Sequence, residues 1–183
     1  MNSFYTVEEL GKIGFKKLGK NVLISKKSSI YTPENISIGD NVRIDDFTIL
    51  SGTIEIGNYV HISAFVALYG KNGIKIGNYC GCSPRTTIFS ATDDFSGDYM
   101  ISPLVPEQYT NVTGGQVVFE DFVQLGANTT IMPKTILHQG CATGAFTFVK
   151  EDLEEWSIYV GIPAVKIKSR NKRILEIYKK IDN

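Results

Sequence analysis

Histidine is scarce in this chain: 183 residues carry two, His61 and His138, 77 positions apart. That excludes a three-histidine metal centre. Three cysteines, Cys80, Cys82 and Cys141, are too few and too oddly numbered for a disulfide framework. Without a second close Cys pair they do not make a four-ligand zinc site either, so no metal is expected. They read as buried small apolar residues. Neither sign of charge is in excess, since 19 Lys and Arg balance 19 Asp and Glu, which gives no basic field for nucleic acid. No stretch approaches the roughly 18 uninterrupted apolar residues of a membrane span. The first ten residues carry Glu8 and Glu9 where a signal peptide would be apolar. A soluble, cytoplasmic protein is the expectation.

What is present is a period of six. From Phe119 the positions Leu125, Ile131, Leu137, Thr143 and Val149 follow in step, and four residues after each member comes a small or branched partner, Val123, Thr129, Thr135, Cys141 or Thr147. Six is neither the 3.6 of a helix nor the 2 of an amphipathic strand. Fixed short repeats of this kind build a parallel β-helix, an all-β stack of equal coils. Upstream the phase runs through Leu18, Ile24, Ile30 and Ile36, slips by two to Ile38, and continues through Ile44, Leu50, Ile56, Ile62, Leu68 and Ile74. A second slip of two gives Ile76, Cys82 and Ile88. Gly39, Gly57 and Gly77 recur after apolar positions, where a tight corner calls for small residues and a permissive backbone. An antiparallel sandwich would need hairpin turns, and the chain has one Asn-Gly, at Asn72-Gly73.

Three segments stand outside the period. Residues 1–17 read as a helical cap over the first coil, with Thr6 as N-cap, Glu9 completing a capping box, and Leu10, Ile13 and Phe15 apolar. The β-helix spans 18–168. An excursion over 89–116 has no periodic apolar positions and carries Asp93, Asp94, Asp98, Glu107, Phe95, Tyr99 and Tyr109. A structureless segment that long inside a compact fold is usually functional. Residues 169–183 are basic and place Ile174, Leu175, Ile177, Tyr178 and Ile181 at helical spacing, a C-terminal helix expected to pack across the stack.

The run Phe119 to Pro133, Lys150-Glu151-Asp152 and Gly161-Ile162-Pro163-Ala164 resemble the hexapeptide-repeat acyltransferases, a left-handed β-helix family. Phe89 to Ser96 with Val105 to Thr110 is similar to the subgroup from bacterial surface-polysaccharide clusters, which acetylates sugars or nucleotide-linked amino sugars. The resemblance implies a homotrimer with active sites between subunits, acetyl-CoA as acyl donor, and a sugar or nucleotide-sugar acceptor. It places the donor along Ala127 and Ala145, with Lys150 as the nearest cation, Pro163 near the adenine end, and Lys168 and Arg170 on the phosphates. Acceptor contacts fall to Asp93, Asp94, Glu107 and Tyr109.

The family's usual histidine is missing from the excursion, where this chain has Asp93 and Asp94. Transfer to an alcohol needs a base, and imidazole serves best near neutral pH. His61 lies between inward-facing residues and is expected to point out of the prism as that base, oriented by Asp94 or Asp93; His138 reads as a corner residue. The two aspartates alone, instead, would hold an ammonium or hydroxyl of the acceptor, and an amine acceptor needs a base far less. The alternative from another class is a non-catalytic structural or binding β-helix.

Overall fold

The structure, a computed structural model, describes residues 3–180. Its body is a left-handed parallel solenoid of three faces. On the first face Ile38, Ile56, Ile76, Phe119 and Leu137 stack in register; on the second Ile44, Ile62, Cys82 and Leu125; on the third Leu50, Leu68, Ile88 and Ile131. Each position of the six-residue phase is therefore an inward position on the next face, and these residues are buried almost completely. Parallel coils covered inside need this continuous Ile, Leu and Val supply, each fully buried side chain contributing roughly 1.5–3 kcal/mol.

Both two-residue slips fall at the corner from the third face to the first. There one coil turns through the 3-10 segment Pro33–Asn35 and another bends within the single strand Ala67–Ile76. The excursion leaves from the same corner, after Thr87–Phe89, and returns at Val117–Phe119. Extra residues are tolerated at this one edge because they project outward and leave the ladders on either side in register.

The corners correct one expectation. Gly39, Gly57 and Gly77 do not take positive φ; that conformation falls two residues later, on Asn41, Tyr59 and Tyr79. The glycines are required by close stacking. A Cβ on Gly57 would lie 2.8 Å from the backbone carbon and oxygen of Gly77 in the next coil. At the second-to-third corner buried threonines stand in for valine, and each satisfies its hydroxyl by donating to the carbonyl three residues back, as Thr48 does to Asp45 at 2.9 Å and Thr129 to Gly126 at 2.7 Å.

The helix α1, Val7–Ile13, carries both hydrogen bonds of the Thr6–Glu9 capping box and buries Leu10 against the first coil. At the other end Val165–Ser169 folds back antiparallel on Ser157–Val160, and α2 is a short helix, Ile174–Tyr178. Tyr178 sets its ring edge-on against Tyr79 and Phe122, so the tail packs across the stack. Met1, Asn2, Ile181, Asp182 and Asn183 lie outside the described residues.

Candidate active site

The excursion is not structureless. Ala91–Thr92 pairs antiparallel with Thr113–Gly114 and closes its base. Ser90 fixes this base to the stack: its hydroxyl donates to the Tyr69 carbonyl at 3.0 Å and accepts from the Asn72 N–H at 2.8 Å. Between the loop and the corner opens a cleft of about 800 Å³ whose walls include Lys71, Asp93, Glu107 and Asn111. Lys71 comes from the corner lengthened by the second slip, so the slip and the excursion build one site. Lys71, Asp93 and Glu107 make no ion pair among the described residues. A cation and two carboxylates thus line one cleft without pairing with one another.

Asp93 and Asp94, adjacent in sequence, separate in role. Asp94 accepts from the Ser96 N–H and hydroxyl and from the Asn111 side-chain amide at 2.8 Å. The Ser96 bonds, then that of Asn111, hold its carboxyl below the usual aspartate range. It braces the loop. Asp93 is exposed and has no side-chain partner within the described chain. Tyr109 gives its carbonyl to the Met100 N–H and is not part of the cleft wall, whereas Glu107 is.

His61 sits on the second face, away from the corner that carries the excursion, and points outward as expected. Within its own chain its acid is Asp45, and not Asp93 or Asp94. Nε2 lies 2.7 Å from Asp45, which also accepts from Arg43 Nε at 2.7 Å. Partial burial raises the Asp45 carboxyl, but the bonds from His61 and Arg43 outweigh it and hold the group below its ordinary value. Asp45 stands one coil before His61, with Arg43 paired directly to His61 across the ladder; an acid 16 residues upstream carries no local sequence signal. His138 is bound by Glu120 at 3.2 Å at a corner. The cysteines are free and buried, and burial pushes Cys80 and Cys141 up to about 12 and raises Cys82 as well.

Of the donor positions, Ala127 and Ala145 stack on successive coils, the Phe146 N–H donating to the Ala127 carbonyl at 2.8 Å. Together with Gly126 and Gly144 they form a smooth strip at the second-to-third corner. Lys150 lies 3.7 Å from Glu151, Pro163 stands in the turn between the last two strands, and Lys168 is exposed on Val165–Ser169. Arg170 is a departure. Its Nη1 donates to the carbonyls of Phe122, Gly140 and Cys141 at 2.8, 3.0 and 3.4 Å, so the guanidinium is committed to the backbone of two coils. Among the described residues no helix is long and apolar enough to cross a membrane, and no cluster is suited to a metal.

Residues 35–70 match the family model described as bacterial transferase hexapeptide (six repeats). A dTDP-4-amino-4,6-dideoxy-D-glucose acyltransferase of Escherichia coli is 44% identical, over 92% of this chain and 90% of the relative. A putative lipopolysaccharide biosynthesis O-acetyl transferase, WbbJ of E. coli K12, is 27% identical over 88% and 91%. Among solved structures, AntD, an N-acyltransferase from Bacillus cereus, superposes with a TM-score of 0.97 at 51% identity, covering 99% of this chain and 98% of AntD. Its structures hold dTDP or dTDP-4-amino-4,6-dideoxyglucose with coenzyme A, and one holds 3-hydroxybutyryl-CoA. Some carry a replaced serine and others a replaced aspartate ten positions downstream.

Proposed function

Because the chain belongs to the bacterial hexapeptide-repeat transferases, we propose that it moves an acyl group from coenzyme A to the amine of a dTDP-linked amino-dideoxy sugar in surface-polysaccharide synthesis. The carrying observation is near-full-length correspondence with an N-acyltransferase that binds both coenzyme A and dTDP-4-amino-4,6-dideoxyglucose. Ser83 and Asp93 are this chain's serine and aspartate at the ten-residue spacing. They lie at different corners of one prism, which fits an assembly in which the excursion of one copy meets the second-to-third corner of the next. A homotrimer has that arrangement, and the exposed Phe95, Ile101 and Leu104 of the excursion supply apolar surface for it.

The chemistry follows from the groups present. An amine attacks only as the free base, and the site must orient it against the thioester carbonyl, whose oxyanion a corner N–H stabilises. Asp93 holds the incoming ammonium by a charge-assisted hydrogen bond. One ammonium proton passes through Asp93 to water and frees the amine; collapse of the tetrahedral adduct then breaks the C–S bond, and the second proton lost by nitrogen ends on the coenzyme A thiolate. The test mixes the protein with acetyl-CoA or 3-hydroxybutyryl-CoA and dTDP-4-amino-4,6-dideoxyglucose and measures free thiol. Release with neither donor overturns the proposal and favours the structural reading.

The Asp45–His61 hydrogen bond carries a second reading, O-transfer with His61 as general base and Asp45 in the orienting role. One variant separates the two. With an amine acceptor, His61→Asn is expected to lower kcat by less than about tenfold, whereas loss of an obligatory base costs 10²–10⁴-fold. Steady-state kcat at pH 7.5 decides between them.

A further inference from the structure

The two arms of the excursion are tied by main-chain pairing over two rungs, Ala91 with Gly114 and Thr92 with Thr113. No main-chain hydrogen bond among the described residues carries that ladder on to Asp93 and Asp94. Extended by two rungs, the antiparallel register sets Asp93 opposite Val112 and Asp94 opposite Asn111. The outer of these rungs is made by side chains: Asn111 Nδ2 donates to Asp94 Oδ2 at 2.8 Å. Asp94 and Asn111 are half-buried, whereas Asp93 and Val112 are exposed, the two-sided alternation of a strand pair. The other Asp94 oxygen accepts from the Ser96 N–H at 2.8 Å and from the Ser96 hydroxyl, a local turn on the same arm. Farther out, the Met100 N–H donates to the Tyr109 carbonyl at 2.9 Å. Asp93 thus sits between a backbone rung on one side and a side-chain bond on the other, and Asn111 supplies the second from the returning arm.

We propose that Asn111 is a positioning residue for the transfer reaction: its bond to Asp94 closes the excursion around Asp93 and aims that carboxylate at the acceptor amine. The inference rests on the amine-transfer reading above and adds a residue to it. Asp93 has no side-chain partner of its own within the described chain, so the direction of its carboxylate is set by the backbone beneath it. The ladder at Thr92 holds that backbone on one side. Without Asn111 the other side is held by the Ser96 turn, which belongs to the same arm and moves with it. A displacement of about 1 Å at a reacting centre is enough to cost about 10²-fold in rate. Asn111 lines the cleft together with Asp93, so the clamp and the group it aims share one wall. An amide also suits the place. A Lys or Arg there would hold Asp94 as firmly but set a second cation beside the carboxylate that must receive the ammonium, whereas Asn holds it without adding charge.

The test is steady-state kinetics of wild type, Asn111→Leu, Asn111→Asp, Asp94→Asn and the exchanged pair Asp94→Asn/Asn111→Asp, with coenzyme A titrations and melting temperatures beside them. Asn111→Leu is expected to lower kcat/KM for dTDP-4-amino-4,6-dideoxyglucose by about 10- to 100-fold, the range of a small misplacement. Asn111→Asp sets two carboxylates against each other and loses at least as much. Asp94→Asn keeps a neutral amide–amide bond once Asn111 turns its amide, and loses less. The exchanged pair restores the bond with donor and acceptor reversed and recovers to within about threefold of wild type, a non-additive cycle. Coenzyme A affinity and melting temperature stay at wild-type values throughout. A melting temperature or coenzyme A affinity that falls in step with activity marks a structural brace and overturns the proposal. Asn111→Leu within about twofold of wild type, or an exchanged pair no better than Asn111→Asp, overturns it as well and leaves the function standing. A wild-type protein that releases no thiol with either donor overturns both.

Discussion

Phe119→Ala is expected to destabilise the protein by about 3–5 kcal/mol, the range of a buried phenyl removed from a core that cannot close over it. Phe119 is among the largest fully buried side chains, and it stacks on Ile76 above and Leu137 below. It also sits where the chain re-enters the prism after the excursion, so its coil is joined to the one before only through lateral ladders and that loop. Neighbouring coils are pinned by hydrogen bonds at every face and cannot slide inward to fill the space. Against a typical total of 5–15 kcal/mol this is a large fraction. Equilibrium denaturation in urea measures it; a loss below 1 kcal/mol means that the coils do relax and that the stack is softer than its register implies.

Arg170→Met carries the second large effect, and it separates two accounts of one residue. Family resemblance assigns Arg170 to the phosphates of coenzyme A. The geometry gives Nη1 to three main-chain carbonyls, Phe122, Gly140 and Cys141. Methionine keeps most of the aliphatic stem and leaves those carbonyls short of a charged donor. The expected cost is about 2–4 kcal/mol, read as a lower unfolding midpoint, with the KM for the acyl-CoA within about twofold of wild type. A raised KM at unchanged stability would return Arg170 to the donor site.

The scaffold was legible because a prism coil is a local object. Its inward positions recur every six residues, so Ile38, Ile44 and Leu50 announce successive short strands of a stack without any long-range information. The capping box at Thr6 and Glu9 was legible for the same reason, since both partners lie within one helical turn. The two slips were visible as arithmetic, but not that they share a corner with the excursion. The glycines were seen and their reason was not: Gly57 is needed because Gly77 lies on top of it, a fact of stacking rather than of its own dihedral.

Site residues divided along the same line. Asp93, Glu107, Ala127 and Ala145 stand where the excursion and terminal coils place them, and the structure gathers the first two into one cleft and stacks the last two at one corner. Asp45 as the partner of His61 was missed, as was Asn111 as the partner of Asp94. The sequence alone determined the six-residue stack, its cap and the place of its interruption, because burying apolar surface on a six-residue period constrains each coil by itself. Which outward side chains meet was decided only by the tertiary structure. Neighbours such as Asp45 and His61, or Arg170 and Phe122, lie 16 to 48 residues apart, and no period ties their identities together. Only the register of the finished ladders brings Asp45 to His61, Asn111 to Asp94, and Arg170 to the carbonyls it closes.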